Sequence, residues 1–252
     1  MTLRSVSLPA TGALIFLAAW EIVGRVLGSA VLAPPSVVAV DYLELLRQNE
    51  MLPELALSLR QMAVGYAAAL VVGMPMGVLM GRLRWADAAL QPWVSMFVVT
   101  STAALIPLLI MLLGTGFSLR VTVVFIATVF YVVLTTYNGA RGIPPMQLAA
   151  ARSFGAGRWQ LFWKVMLPSL YPFLLTGARI GFVHALRAMV TAELFVIVGY
   201  GGLIHQTGLS TDTGPLLGLL LTLMVVSLAG DAFLRSFGRR VAPWYEQAGA
   251  LR

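Results

Sequence analysis

Residues Ala149–Pro168 read AAARSFGAGRWQLFWKVMLP and separate two strongly apolar runs of the chain. The stretch mixes three cations with four aromatic side chains and is interrupted by Gly155-Ala-Gly157. Because cations are costly to bury in lipid, the stretch is not expected to cross a membrane. We predict two short helices joined at the glycine bend, the second over Arg158–Val165. We also expect Pro168 to redirect the chain, since proline disfavours helix in the residue before it.

The composition of the whole chain indicates a helical membrane protein. Of its 252 residues, 59% are hydrophobic and 11% are charged, against roughly 25% charged residues in a soluble domain. A soluble core of this size has no interior for so much apolar surface. The sequence has no cysteine and two histidines, which excludes thiolate chemistry and argues against a haem or multi-histidine metal site. We expect an all-α polytopic membrane protein with no catalytic residues and no bound metal.

Six apolar runs are interpreted as membrane spans, since about 20 helical residues cross the hydrocarbon. They are Leu14–Leu27, Leu59–Gly81, Leu90–Leu113, Val121–Tyr137, Leu170–Val198 and Leu216–Leu234. The third run is expected to bend, because it contains Pro107 and the Ser101–Thr102 pair. Gly199–Gly202 is expected to form a turn after the fifth run, and the polar section Val37–Leu57 a surface helix and turn. No second domain is evident, so residues 1–252 are expected to form one.

Cations in the loops indicate the orientation, because cytoplasmic loops of membrane proteins carry an excess of Lys and Arg. With the N-terminus inside, the inner segments hold Arg4, Arg82, Arg84, Arg141, Arg152, Arg158, Lys164, Arg235, Arg239, Arg240 and Arg252. The outer segments hold Arg25, Arg47, Arg60 and Arg120. We therefore expect both termini and Ala149–Pro168 to be cytoplasmic. The net charge of +7 then reflects inner loops and not a nucleic-acid partner.

Two interpretations of Ala149–Pro168 follow from its composition. A mixture of aromatic side chains and cations suits the groove of a partner protein, with an apolar floor and a polar rim. The same mixture suits an interfacial helix on the inner leaflet, with its aromatic rings among the lipid headgroups. The pattern alone favours neither.

The spacing in this stretch resembles the EAA loop found in permease subunits of ATP-binding-cassette importers. That loop reads E-A-A, three residues, G, nine residues, I-x-L-P, and the intervals around Gly155 are the same here. Ala149 stands where the Glu is usual, so an ion pair from that position is in doubt. The resemblance implies a cytoplasmic two-helix coupling loop over about residues 146–169, between spans four and five, that binds the ATPase. Its expected contact and bend residues are Ala150, Ala151, Arg152, Phe154, Gly155, Arg158, Val165, Leu167 and Pro168.

Further segments resemble the nitrate/sulfonate/taurine branch of these importers, in the same order along most of the chain. They are Leu32–Ser36, Ser58–Tyr66, Gly73–Gly81, Ile106–Ile110, Leu175–Gly181, Thr191–Leu194 and Arg239–Trp244. The resemblance implies a permease in a bacterial inner membrane, paired with a second copy, two ATPase subunits and an extracytoplasmic substrate-binding protein. The sequence contains no GxxxxGK[ST] loop, so ATP and Mg²⁺ are expected on the ATPase partner, with no cofactor in this chain.

The fifth run carries five polar side chains within half of a helical wheel: Arg179, His184, Arg187, Thr191 and Glu193. They can line a pathway for an anion or tie helices together. We interpret His184, Arg187 and Thr191 as pathway residues. Arg179 and Glu193 are interpreted as structural, bound for example to a carbonyl and a hydroxyl. Gly73, Gly77 and Gly81 have the spacing that lets another helix approach closely.

Two other classes of protein fit the sequence less well. A secondary transporter driven by an ion gradient favours internal repeats and paired carboxylates near the midplane. No repeat is evident, and the carboxylates within the runs are Glu21, Glu193 and Asp231. A membrane-embedded enzyme needs a cluster of reactive groups, and the two isolated histidines do not form one. Glu21 is expected to pair with Arg25 or Arg60.

Overall fold

A computed structural model describes residues 4–47, 51–210 and 213–241, with side chains from residue 11 onward. Over these residues it is helical, with no strand. The helices are α1 (Arg4–Leu27), α2 (Pro35–Arg47), α3 (Met51–Arg82), α4 (Arg84–Val99), α5 (Thr102–Leu113), α6 (Phe117–Arg141), α7 (Pro145–Ser153), α8 (Arg158–Leu161), α9 (Leu167–Val196), α10 (Gly199–Leu209) and α11 (Thr213–Val241), with a π-helical turn at Phe162–Met166. The expectations for the tail after Val241, including Arg252, lie outside the described residues.

Four helical segments in the described part of the chain are long and apolar enough to span a membrane. They are Met51–Arg82, Phe117–Arg141, Arg158–Val196 and Thr213–Val241. The helices α4 and α5 together make a fifth if the pair is one broken span. Their axes differ by 101°, and the break lies at Thr100–Ser101 beside the expected Ser101–Thr102 pair, whereas Pro107 lies inside α5.

The described residues form two compact units. The first draws on Met1–Ser58 and Glu193–Val226, and the second on Leu59–Ala192 and Ser227–Arg252. In the first unit, α1 and α2 meet at a tight corner. Trp20 Nε1 donates to the carbonyl of Ala33 at 3.1 Å. A Cβ on Gly24 would lie 2.8 Å from the Cα of Pro34, so the corner depends on glycine at that position.

Glu21 fixes the same corner of the first unit. Its carboxylate accepts from Arg25 Nε at 2.7 Å and from the Ser36 hydroxyl at 2.8 Å. The expected ion pair with Arg25 is therefore present. It joins one turn of α1 and, through Ser36, the start of α2.

In the second unit, α3 packs against α6 along a line of small residues. The predicted packing glycines lie on this line together with Gly65 and Ala69, one residue in every four. A Cβ on Gly77 would lie 2.6 Å from the carbonyl oxygen of Val133 and 2.7 Å from Cβ of Thr136. On Gly73 it would lie 3.0 Å from Val132. The backbones approach closely because these positions lack side chains.

Two local expectations were wrong. Pro168 does not redirect the chain, because helix continues from Arg158 to Val196. Proline has no N–H to bond the carbonyl four residues earlier. The π-helical turn just before it, where Leu167 N–H donates to the carbonyl of Phe162, lets the helix continue past this gap. Gly199–Gly202 is not a turn either, but the first turn of α10.

Candidate functional site

The helices α7 and α8 form a hairpin in the second unit, spanning residues 145–161. Gly155 has φ +83°, a left-handed conformation that glycine adopts without steric cost. Its N–H donates to Arg152 O at 2.9 Å, and Ala156 N–H donates to Ala151 O at 3.1 Å. These two bonds are those of a Schellman motif, which ends α7 and satisfies its last carbonyls. The glycine bend expected from the sequence is therefore a specific helix cap.

The second arm of the hairpin begins just after this cap. Gly157 is the N-cap residue of α8, with φ −68° and ψ 166°. Its N–H donates to Oε1 of Gln160 at 3.2 Å, the backward bond of a capping box. The path of residues 154–157 is therefore held by hydrogen bonds at both ends of the bend.

Buried aliphatic side chains anchor the hairpin to the ends of α6 and α9. Leu148 of α7 and Leu161 of α8 pack in one cluster with Ala140, Met166 and Leu170. Ala151 and Val165 border the cluster. The hairpin therefore packs into one hydrophobic core with α6 and α9 and is not a flexible linker.

The outer face of the hairpin is aromatic and basic. Phe154 is 90% exposed and Trp159 is 73% exposed, and Arg152, Arg158 and Ala150 are also exposed. Exposed aromatic rings beside cations are typical of a protein–protein interface. The residues of the predicted coupling loop thus divide into an inner anchoring set and an outer set available to a partner. Leu167 and Pro168 begin α9 and are half-buried.

His184, Arg187 and Thr191 line one cavity of about 320 Å³ in the second unit. All three lie on α9. The opposite wall is the break between α4 and α5, including Thr100, Ser101 and Thr102. The sequence identified the α9 residues but did not predict that the break in the third run faces them.

Two stacked pairs of rings lie among the residues that line the cavity. The rings of Tyr131 and His184 stack with centroids 3.6 Å apart and planes 15° apart. Phe97 and Phe130 stack at 4.5 Å with planes 1° apart. The Tyr131 hydroxyl donates to the carbonyl of Val98 at 3.3 Å. Tyr131 thus connects α6 both to α9 and to the broken helix.

Arg187 carries the formal positive charge among the residues that line the cavity, and none of these residues is a carboxylate. Its side chain is exposed, and no ion pair to it occurs among the described residues. Thr191 differs, because its hydroxyl donates to the carbonyl of Arg187 at 2.8 Å. While that bond is formed, the oxygen of the Thr191 hydroxyl remains free to accept a hydrogen bond from a ligand.

Arg179 binds Asp231 of α11, not the carbonyl considered from the sequence. The distance from Arg179 Nε to Asp231 Oδ1 is 2.6 Å, and a second bond from Nη2 to Oδ2 is 3.3 Å. Arg235 also donates to Asp231, with Nε 2.8 Å from Oδ2. The spacing of Asp231 and Arg235, one helical turn apart near the end of the last run, indicates from the sequence that these two side chains can pair. The pairing of Asp231 with α9 needed the fold.

Glu193, in the first unit, is fully buried and caps α10. Its Oε2 accepts from the backbone N–H of Gly201 at 2.8 Å, where a carboxylate is favoured by the positive end of the helix. Ser58 Oγ accepts from Tyr200 N–H at 3.0 Å. Burial raises the pKa of Tyr200 to about 12, so its hydroxyl remains a donor to Leu219 O. One partner of Glu193 is thus a backbone amide, that of Gly201.

The described residues contain no candidate metal site. Among the residues that the structure describes, no three His, Cys, Asp or Glu side chains form a group that could hold a metal ion.

The sequence profile of the family described as "Binding-protein-dependent transport system inner membrane component" matches residues 69–243. A probable ABC transporter permease protein of Brucella abortus is 32% identical over 222 residues, which cover 88% of this chain and 89% of that protein. The taurine transport system permease protein TauC of Escherichia coli is 28% identical over 192 residues, covering 76% of this chain and 70% of TauC.

The fold is also similar to that of a solved transporter chain. A chain of the methionine ABC transporter MetNI, in an inward-facing conformation, superimposes with a TM-score of 0.65 at 20% identity. The match covers 77% of this chain and 94% of that one. It shows a shared fold.

Proposed function

This chain belongs to the family of binding-protein-dependent transport system inner membrane components, and we propose that it is the permease subunit of an importer of a small anion. Six spans are proposed: α1, α3, the broken pair α4–α5, α6, α9 and α11. Both termini are then cytoplasmic, and residues 1–252 act as one permease domain in the inner membrane of a bacterium.

The observation that carries this proposal is the hairpin of α7 and α8. Its core is anchored by Leu148 and Leu161, while Phe154 and Trp159 remain 90% and 73% exposed. A rigid element that presents unsatisfied aromatic surface beside cations suits docking on another protein. In this proposal the coupling loop, residues 146–169, inserts into an ATPase subunit on the cytoplasmic side.

One continuous helix connects the docking hairpin to the cavity. Helix runs from Arg158 to Val196, so the path along the helix from Arg158 to Arg187 is about 40 Å at 1.5 Å per residue. A tilt imposed on the hairpin by closure of the ATPases would move the α9 wall of the cavity against the α4–α5 wall. Such motions of rigid elements are a known means of switching between conformations.

The proposed assembly contains a second copy of this chain, two ATPase subunits and an extracytoplasmic substrate-binding protein. ATP and Mg²⁺ bind the ATPase subunits. In each copy, His184, Arg187 and Thr191 form part of the translocation pathway. Arg187 supplies the positive charge that favours an anion, since its cavity holds no carboxylate to neutralise it.

Co-purification tests this function directly. The chain is co-expressed with an ATP-binding-cassette ATPase subunit from the same organism, and the complex is isolated through a tag on the permease. We expect the ATPase to co-purify with the unaltered chain and to be lost in a Phe154→Ala/Trp159→Ala variant, since both rings lie on the exposed face. Leu209, which is 76% exposed on α10, provides the control substitution Leu209→Ala. Substrate uptake driven by a proton or sodium gradient without ATP would contradict the proposal and favour a secondary transporter.

A further inference from the structure

Another cavity, of about 380 Å³, lies in the first unit, where residues of α1 and α2 face residues 221–226 of α11. On α2 the lining residues are Pro35, Val38, Ala39 and Tyr42. They recur every three or four positions and therefore share one face of the helix. The volume lies within the range of small-molecule sites, about 300–1,000 Å³.

The surface that this cavity exposes is hydrocarbon. Leu17 of α1, Ala39 of α2, and Leu221 and Val225 of α11 line it, and all four are exposed. None of the described residues that line it is charged. A ligand that matches this cavity therefore has an apolar body and needs no charge.

The polar side-chain groups of the lining are already hydrogen-bonded. Trp20 Nε1 donates to the carbonyl of Ala33 at 3.1 Å. The Thr222 hydroxyl donates to the carbonyl of Gly218 at 3.0 Å, and its oxygen lies 3.3 Å from that of the Tyr42 hydroxyl. Because a water molecule inside a protein needs several polar partners, the cavity is expected to exclude water.

The side chains around the cavity are held in place, so they do not collapse into it. The bond from Trp20 fixes its indole ring. The ring of Tyr42 packs on the backbone of α11, since a Cβ on Gly218 would lie 3.2 Å from it. A cavity left unfilled forfeits dispersion contacts along its whole lining, so an occupant of matching shape is favoured.

The position of the cavity along α11 determines what can reach it. Helix α11 is long and apolar enough to span a membrane. Residues 221–226 lie within about 10 Å of its middle at 1.5 Å per residue, whereas half of the hydrocarbon layer is about 15 Å thick. In a membrane the cavity therefore opens to lipid tails and not to water.

We propose that this cavity binds one acyl chain of a membrane phospholipid in each copy of the permease. The phospholipid is a structural ligand that joins α1 and α2 to α11, distinct from the freely exchanging lipid around the protein. The inference rests on the proposed placement of α11 in the membrane, but not on transport or on ATPase binding.

The shape of the cavity favours a flexible chain over a helix of a second copy. A helix with its side chains is about 10–12 Å wide, so it would cover the mouth of this cavity without filling it. Lipid tails are as apolar as the lining, so hydrophobic transfer contributes little to binding within the membrane. Retention of the phospholipid depends instead on close packing in the cavity.

The test counts the phospholipid that the full chain retains. The permease is reconstituted in nanodiscs of phosphatidylethanolamine and phosphatidylglycerol, transferred to detergent to remove loosely associated lipid, and analysed by native mass spectrometry. We expect one phospholipid per copy to remain. Ala39→Trp, whose indole would fill the cavity, should lose it. Ala18→Trp, at an exposed alanine of α1 outside the lining, should retain it.

Thermal unfolding provides a second readout. Complete removal of phospholipid should lower the Tm of the unaltered chain and of Ala18→Trp, because a ligand that binds the folded state stabilises it. Ala39→Trp should show a smaller decrease, since its indole takes the place of the acyl chain. Leu221→Trp fills the cavity from the opposite wall and replaces Ala39→Trp if that variant does not fold.

A phosphatidylethanolamine that carries a diazirine on its acyl chain identifies where the retained lipid lies. After the detergent wash, irradiation should label Leu17 and Tyr42. It should not label Leu228, which is exposed on α11 outside the cavity.

Three results overturn the inference: no retained phospholipid, equal retention by Ala39→Trp and Ala18→Trp, or labelling of Leu228 as strong as that of Tyr42. A benzophenone side chain in place of Leu17 that cross-links a second copy of the permease, and not lipid, would also overturn it. Failure of the proposed function appears separately, as failure of the ATPase to co-purify with the unaltered chain.

Discussion

Replacing Gly155 with serine should weaken ATPase binding through the backbone alone. Gly155 has φ +83°, and an added Cβ there would meet no atom within 4 Å, so the side chain has room. The cost arises because non-glycine residues are strained in the left-handed region, by about 1–2 kcal/mol. If docking requires the hairpin in this conformation, the Kd for the ATPase subunit rises by at most about 5- to 30-fold.

The same substitution two residues later provides the control. Gly157 also has no atom within 4 Å of an added Cβ, but its φ of −68° is accessible to any residue. Serine is a good N-cap, so Gly157→Ser should bind the ATPase as well as the unaltered chain. Gly155→Asn should lie between the two, since asparagine tolerates the left-handed region better than serine.

The affinity for the ATPase is measured by surface plasmon resonance, with each permease variant immobilised in nanodiscs and the purified ATPase subunit in solution. Tm is recorded in parallel to show that each variant remains folded. Equal affinities for Gly155→Ser and Gly157→Ser would refute the argument that the Schellman cap sets the docking conformation.

Two further substitutions test the packing of the second unit. In Gly77→Ala, the added Cβ would lie 2.6 Å from the carbonyl oxygen of Val133, whereas an ordinary contact is at least 3.4 Å. The helices α3 and α6 would therefore have to separate by about 0.8 Å. Such overpacking costs about 1–3 kcal/mol, so Tm should fall by several degrees, whereas Gly12→Ala, with open space around its Cβ, should not lower it. Arg179→Ala should lower Tm more than Arg235→Ala, because Arg179 is less exposed (34% against 59%) and joins two helices through Asp231. Equal shifts within either pair would contradict the packing described.

The class of the fold and the position of the hairpin were accessible from the sequence because they depend on composition and local spacing. Four of the apolar runs lie in helical segments long and apolar enough to span a membrane, and a fifth does if α4–α5 is one broken span. The left-handed cap at Gly155 was indicated by a glycine between two helical stretches, a local signal that requires no tertiary information.

Contacts between distant segments were not accessible in the same way. No local pattern indicates the register between the third run and α9, so the position of Ser101 and Thr102 opposite Arg187 could not be predicted. It also led to a wrong expectation at Pro168, because a proline is tolerated where a π-helical turn absorbs the missing hydrogen bond. The pairing of Arg179 with Asp231 likewise depends on how α9 meets α11.

Binding of the ATPase by the α7–α8 hairpin can be tested by cross-linking. Since the chain contains no cysteine, Phe154→Cys introduces its only thiol, at a position where the native side chain is 90% exposed. Treatment of the assembled complex with a short thiol-to-amine cross-linker should join permease Phe154→Cys to the ATPase subunit, while Leu209→Cys should give no such product. Cross-linking of the ATPase at Leu209→Cys and not at Phe154→Cys, in a complex that purifies intact, would contradict the account.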